Sequence, residues 1–273
     1  MRPQGRALAH LALTGRAKGA RVPDDEHPSK DALLDTSQSP VLGLIGGFEL
    51  RCGGAPVPLP LTAQRLVAFL ALQPRPVTRL YVACTLWLDS GEEQAKGCLR
   101  SALWRTQRSG LELVRTAGGH LSLDPDLDLD VAHVTELAHR ALEGPGVLRD
   151  DEVHALADAG DLLPDWYDDW LAIERERLRQ LRLHALEATC ERLAGTRRFG
   201  AAVEAGLSAV ATEPLRESAH RALIRVHLAE GNLGEALRQY ESYRSLLDRE
   251  LHAEPTDELR SLIAPVHGTL TLR

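Results

Sequence analysis

From about Val131 onward the chain reads as one helix after another, and part of it repeats. Phe199-Gly200-Ala201-Ala202-Val203 aligns with Leu233-Gly234-Glu235-Ala236-Leu237 at an offset of 34 residues. A unit of that length is a helix pair, which cannot bury its apolar face alone and must stack on a neighbour. Apolar spacing predicts helices over 131–142, 150–159, 168–194, 200–211, 216–230, 234–250 and 256–264. Gly160, Gly195, Gly231 and the pair Glu254-Pro255 punctuate them. This half of the chain is thereby committed to an all-α architecture.

The 34-residue offset is the period of tetratricopeptide repeats, so a tetratricopeptide-like helical repeat domain is expected over 125–273. Aromatic residues make up only 4% of the chain, so its cores must be built mainly from Leu, Ala and Val. Trp166, Tyr167 and Trp170 are therefore conspicuous within five residues. At least one is expected to anchor the helix over 168–194 in a core, and another is a candidate for exposed docking.

The N-terminal half has a different grammar. Residues 1–40 mix Gly, Pro, Ser, Asp and Arg with no sustained period, and a disordered arm is expected there. Val41, Leu42, Leu44, Ile45, Phe48 and Leu50 suggest β structure, with a turn at Cys52-Gly53-Gly54-Ala55 and a short strand from Pro56 to Leu59. Three helices follow. Thr62 is the expected cap of the first, which runs to about Leu72. Thr78 is the expected cap of the second, which runs to about Leu88 with Leu80, Ala83, Leu86 and Trp87 inward. Ser90-Gly91-Glu92-Glu93 fits a capping box that opens the third, which runs to about Arg108. Leu111–Thr116 and His120–Leu123 then flank Gly118-Gly119, a hairpin signal. Strands, three helices and a hairpin, over 41–124, form the plan of a winged helix-turn-helix of the α+β class.

The net charge of −7 is unevenly spread. Residues 141–273 hold sixteen basic and twenty-four acidic residues, whereas 60–120 hold eight basic and four acidic ones. A local cationic excess in an acidic protein marks a candidate phosphate-facing surface. The third helix carries much of it. Ala95, Leu99, Ala102, Leu103 and Thr106 share one face and are expected to pack inward. Lys96, Arg100, Ser101, Trp104, Arg105 and Arg108 occupy the other. An Arg fork matches the paired acceptors of guanine in a major groove, and further cations neutralise phosphates. Arg115 and His120 lie near the hairpin tip, where they would reach a minor groove or phosphates. Double-stranded DNA is the partner these residues suggest.

Other chemistries lack their residues. There is no P-loop, no G-x-G-x-x-G after a strand, no H-E-x-x-H and no G-x-S-x-G, so no catalytic residue is assigned and an enzyme is not expected. No cofactor and no metal are expected. Asp124, Asp126, Asp128 and Asp130 alternate like a calcium loop, but Leu129 and Thr135 stand where Gly and Glu are required, and a strand end leading into a helix is expected instead. His220 and His227 suggest a surface or core pair rather than a zinc site. Cys52, Cys84, Cys98 and Cys190 are expected to be buried thiols in a reducing cytoplasm. No run of about 18 apolar residues suggests a membrane span, and Arg6, His10 and Arg16 break any secretory signal.

With these residues in view, the chain resembles the Streptomyces antibiotic regulatory protein family, SARP, over about residues 41–265. The resemblance rests on Leu66-Val67-Ala68-Phe69-Leu70-Ala71-Leu72, Leu86-Trp87-Leu88-Asp89 and Leu99-Arg100-Ser101-Ala102-Leu103-Trp104-Arg105. Above all it rests on Leu163-Pro164-Asp165-Trp166-Tyr167-Asp168-Asp169-Trp170, followed by Glu174-Arg175-Glu176-Arg177-Leu178-Arg179. Glu250-Leu251-His252-Ala253-Glu254-Pro255 fits as well. The resemblance implies an OmpR-type winged helix and a bacterial transcriptional activation domain. It implies a homodimer on promoter direct repeats, contact with RNA polymerase or its sigma factor, and control of a secondary-metabolite gene cluster. It places Arg100, Ser101 and Trp104 toward bases and Arg105 and Arg108 toward the backbone. Thr106 and Gln107 depart from the family's usual Leu and Arg, which implies weaker inner packing and one cation fewer. No nucleotide-binding module follows residue 273, so the small form of the family is expected. The alternative left by the residues is a repeat scaffold for protein partners that does not bind DNA.

Overall fold

The computed structural model describes residues 39–271, with side chains described to Pro265. The arm expected over 1–40 lies outside the described residues except for Ser39 and Pro40.

A small sheet opens the described chain. Strands β1 (Val41–Gly43), β2 (Glu49–Cys52) and β3 (Ala55–Pro56) pair antiparallel in sequence order. The β2–β3 turn needs the left-handed region at Gly53 and Gly54, at φ 57° and 79°, which glycine enters without a Cβ clash. The strand expected to reach Leu59 stops at Pro56, because Pro58 and Pro60 have no N–H to extend a ladder. Val57 and Leu59 still turn into the core.

Helix α1 (Leu61–Ala71), strand β4 (Val77–Thr78), helix α2 (Arg79–Leu86) and helix α3 (Glu92–Gln107) follow. The hairpin is β5 (Val114–Ala117) and β6 (His120–Leu123), and β4 pairs on the other edge of β6. The expected order of elements is therefore present, but three local readings are corrected. Thr62 is the second residue of α1 and does not cap it; Pro60 stands at the cap position at φ −62°, and its missing N–H is no loss there. The Ser90 capping box does not form. Gly91 is the cap of α3, and Glu92 and Glu93 both turn to Lys96 instead. Leu80 is 47% exposed, because α2 starts at Arg79 and its inward positions fall at Val82, Ala83 and Leu86. Thr78 caps α2 as expected, its hydroxyl accepting from the Tyr81 N–H at 3.3 Å.

The run of aspartates does lead from a strand into a helix. β7 (Asp128–Leu129) joins the first sheet parallel to β1, giving the order β3-β2-β1-β7, and α4 (Asp130–Glu143) begins at once. The Asp130 carboxylate accepts from the N–H groups of Leu44 at 2.9 Å, Ile45 at 2.8 Å and Val131 at 2.6 Å. One acidic side chain thus satisfies donors that leave the β1 ladder and one at a helix start.

The remaining helices are α5 (Asp150–Ala157), α6 (Asp169–Gly195), α7 (Phe199–Thr212), α8 (Glu217–Glu230), α9 (Leu233–Leu251) and α10 (Asp257–Thr271). The two aligned segments of the 34-residue repeat open α7 and α9, the first helices of successive pairs. α6 packs on α4, α7 and α8, and α8 packs on α9. Of the four cysteines, Cys52 and Cys190 are buried as expected. Cys84 is exposed and Cys98 half-buried, because α2 and α3 turn those positions away from their shared core.

One hydrophobic cluster is shared by the winged helix and the repeat, beside a second cluster under α1, α2 and α3 and a third between α8, α9 and α10. The shared cluster runs from Leu42 and Leu50 through Val134 and Leu156 to Leu186 and Ala205. Backbone hydrogen bonds join the same parts: the Leu163 N–H donates to the Leu44 carbonyl, and the Gly46 N–H to the Asp161 carbonyl, each at 2.8 Å. Leu163 holds φ 44°, a costly conformation for a side chain with a Cβ. Arg175 supports this loop by donating to the carbonyls of Leu162 at 2.7 Å, Leu163 and Trp166 at 2.7 Å. Trp166 stacks on Phe48, and Trp170 meets Phe69 edge-on with centroids 5.2 Å apart. Two of the three clustered aromatics are thus anchors, while Tyr167 is 93% exposed.

Replacing Asp130 with Ala should leave three backbone donors without their charged acceptor. We expect a loss of about 2–3 kcal/mol in urea unfolding at neutral pH, with the slope unchanged.

Candidate nucleic-acid interface

The inward face of α3 matches its sequence pattern. Ala95, Leu99, Ala102 and Thr106 are buried against α1 and α2, and Leu103 is half-buried. Thr106, where a polar group threatens the packing, is 2% exposed, and its hydroxyl donates to the Leu103 carbonyl at 2.7 Å. The polar group is buried but satisfied within its own helix.

Helix periodicity then turns the remaining positions outward. Arg100, Ser101, Trp104, Arg105, Gln107 and Arg108 are all exposed. Trp104 is 55% exposed, and the Arg108 guanidinium lies over its ring, 4.8 Å from the centroid. This stacking holds both planar groups in one orientation. Arg105 donates through Nη1 to the Thr62 hydroxyl at 2.6 Å, which ties α3 to the first turn of α1. Among the described residues, Arg100, Arg105 and Arg108 form no ion pair.

The other candidate cations are engaged. Lys96 pairs with Glu92 at 2.5 Å and Glu93 at 2.9 Å, and these carboxylates raise its pKa. Arg115 donates through Nε to the Asp124 carboxylate at 2.9 Å, with Asp126 at 3.6 Å. His120 is exposed at the hairpin turn, its Nδ1 3.2 Å from the Gly118 carbonyl. That turn has Gly118 and Gly119 at φ 55° and 81° between paired Ala117 and His120, a two-residue connection only glycines enter easily.

Between α3 and β5 lies a cleft of about 880 Å³ lined by Arg79, Arg100, Trp104, Gln107, Arg115 and Thr116, among others. The tertiary fold thus brings the outward face of α3 together with one side of the wing. Arg79 was not singled out in the sequence. It is the first residue of α2, and its N–H donates to the Gly119 carbonyl, which sets it beside the wing. A cation just after the Thr78 cap was the only local signal. The Thr62–Arg105 bond had none, since its partners lie 43 residues apart.

With this geometry in place, comparison with known proteins is informative. Residues 152–267, from within α5 into α10, match the model of the bacterial transcriptional activator domain. The chain is 28% identical over 255 residues to the regulatory protein AfsR of Streptomyces griseus, which covers 89% of this chain and 26% of that protein. It therefore spans about a quarter of the length of that curated relative. The structure of Mycobacterium tuberculosis EmbR in complex with a low-affinity phosphopeptide shares the fold, with a TM-score of 0.66 and 22% identity over 85% of this chain and 66% of that one. The class is a winged helix joined to a bacterial transcriptional activator domain. Within that class, the chain carries a match to the bacterial transcriptional activator domain and is similar to AfsR along most of its own length.

The Asp124 carboxyl tests how the wing is held. Burial raises its pKa, but the Asp126 N–H and the Arg115 guanidinium outweigh burial and hold it below 3.8. Its stabilisation is therefore full above the ordinary carboxylate value and is lost as pH falls through the depressed one. Asp124→Asn should be less stable than wild type at pH 7, and the gap should close on acidification below pH 4. Urea midpoints across that range check it; a gap independent of pH would refute the linkage.

Proposed function

We propose that the chain is a sequence-specific DNA-binding transcriptional activator in which α3 enters the major groove. The observation that carries this reading is the outward face of α3, where Arg100, Arg105 and Arg108 have no carboxylate partner among the described residues and Arg100 lines the cleft beside the wing. In this reading Arg100, Ser101 and Trp104 face base edges, while Arg105, fixed by Thr62, and Arg108, stacked on Trp104, face phosphates. Lys96 and Arg115 would exchange their carboxylates for phosphate oxygens, and His120 would lie along the wing's contact.

The DNA-binding part comprises residues 41–124 and the activating part 125–273. The functional unit is a homodimer on direct repeats near a promoter, with the helical part contacting RNA polymerase or its sigma factor. The regulated genes are those of a secondary-metabolite cluster, and the protein acts in the cytoplasm. Among the described residues, no helix is long and apolar enough to cross a membrane. One observation favours a second reading, a protein-binding scaffold: the −8 balance of residues 141–273 suits cationic protein partners. A DNase footprint on the neighbouring promoter separates the two, because a scaffold leaves none.

Fluorescence anisotropy with that promoter tests the residue roles. Arg100→Ala should cost about 1–3 kcal/mol on the specific site and little on scrambled DNA. Arg105→Ala should weaken both alike and reduce the slope of log affinity against log salt by about one. Unchanged binding in both variants would overturn the assignment of α3.

A further inference from the structure

Along α6, on a different surface from α3, a cleft of about 400 Å³ opens beside the loop that follows Gly160. Arg175, Arg179 and Arg182 line it, with Asp161 and Glu176 also on its walls. Arg182 is the most buried of the three arginines, only 8% exposed. Its Nη2 donates to the Thr212 hydroxyl at 3.0 Å, and its Nη1 reaches the Gly160 carbonyl at 3.4 Å, the far edge of hydrogen-bond range. Its Nε is buried with no partner, and it forms no ion pair among the described residues.

The neighbouring cations are committed elsewhere. Arg179 donates to Glu176 and Glu213, and Arg175 to three main-chain carbonyls. Arg182 is the buried cation on this wall that meets no carboxylate among the described residues and leaves a donor unused. Withdrawing a guanidinium from water without a counter-charge is costly, and burial accordingly lowers its pKa despite the more distant pull of Asp161. A buried, incompletely satisfied cation beside an open cleft is the arrangement that an anionic ligand completes.

We propose that this cleft binds a small anionic ligand through a single oxyanion head group, carboxylate or phosphate, seated against Arg182. Asp161 and Glu176 on the walls disfavour a second negative charge, so the rest of the ligand is neutral or cationic. The site is separate from the face assigned to DNA, and polyanions are excluded by the same carboxylates. Because Arg175 on the same wall fixes the loop that bonds to β1, occupancy braces the junction between the winged helix and the repeat.

The test is thermal unfolding of the full chain with inorganic phosphate and, separately, acetate, each against sodium chloride at equal ionic strength. We expect at least one probe to raise the midpoint saturably, by roughly 3–5 °C at tenfold excess over half-saturation. The probe that acts identifies the head group. Arg182→Met should fold, since it replaces an unpaired buried charge with an apolar side chain, and should lose the response. If that variant does not fold, Arg182→Lys carries the test, with at least fivefold weaker half-saturation expected. A rise matched by chloride, no saturable rise with either probe, or a response that survives the Arg182 substitution would overturn the site.

Discussion

The loop from Asp161 to Trp170 governs how everything else in this molecule is placed. It presents carbonyls at Leu162, Leu163 and Trp166 that no strand or helix satisfies, and one guanidinium, that of Arg175, answers all three. Buried backbone acceptors demand such partners. With the loop held, its Leu163 N–H donates to the Leu44 carbonyl just past the end of β1, and its Trp170 ring closes against Phe69 on α1. Arg65 of α1 adds a donor to Asp168 at 2.9 Å and another to the Leu86 carbonyl at 2.9 Å. One segment therefore holds the winged helix by its sheet and its first helix, whose Arg65 also reaches the end of the second.

The same structure sorts cations into paired and available ones. On α6, Arg177 is matched by Glu174 and Arg179 by Glu176, each three residues apart, and across helices Arg216 meets Glu187 and Arg225 meets Glu191. Such pairs at the surface contribute little stability. Their effect here is on charge distribution: the acidic half pairs many of its own arginines and has carboxylates left over. Among the described residues, the only cation on α3 with carboxylate partners is Lys96. Arg105 is held instead by the Thr62 hydroxyl and Arg108 by stacking on Trp104, which fixes direction without cancelling charge. A cationic face persists on a protein of net charge −7 because opposite charges are segregated by element, and at short Debye lengths a ligand senses the local surface.

Local pattern was enough for the order of elements. A 34-residue helix-pair repeat, a Gly-Gly hairpin turn and the apolar stripe of α3 are all short-range properties, and each maps directly onto backbone geometry. So the α+β winged helix, the helical repeat and the outward positions of Arg100, Ser101, Trp104, Arg105 and Arg108 were legible in the amino-acid sequence. The readings that failed were those where two local options compete. Thr62 and Ser90 both have capping chemistry, yet Pro60 and Gly91 take the cap positions, and only the path of the preceding chain decides that. Leu80 is apolar but faces solvent, because the start of α2 fixes its phase.

Partnerships between distant residues belong to the tertiary structure alone. Nothing near Arg105 announces Thr62, nothing near Asp130 announces the amides of Leu44 and Ile45, and the burial of Arg182 follows only from helices that pack around α6. The sequence determined which residues share a face of an element once its start is fixed, since that depends on a period of two or 3.6. The tertiary structure decided which of those faces meet, which charges are answered and which are left open. Those outcomes depend on loop closure and on hydrogen-bond partners tens of residues apart, and no periodicity encodes them.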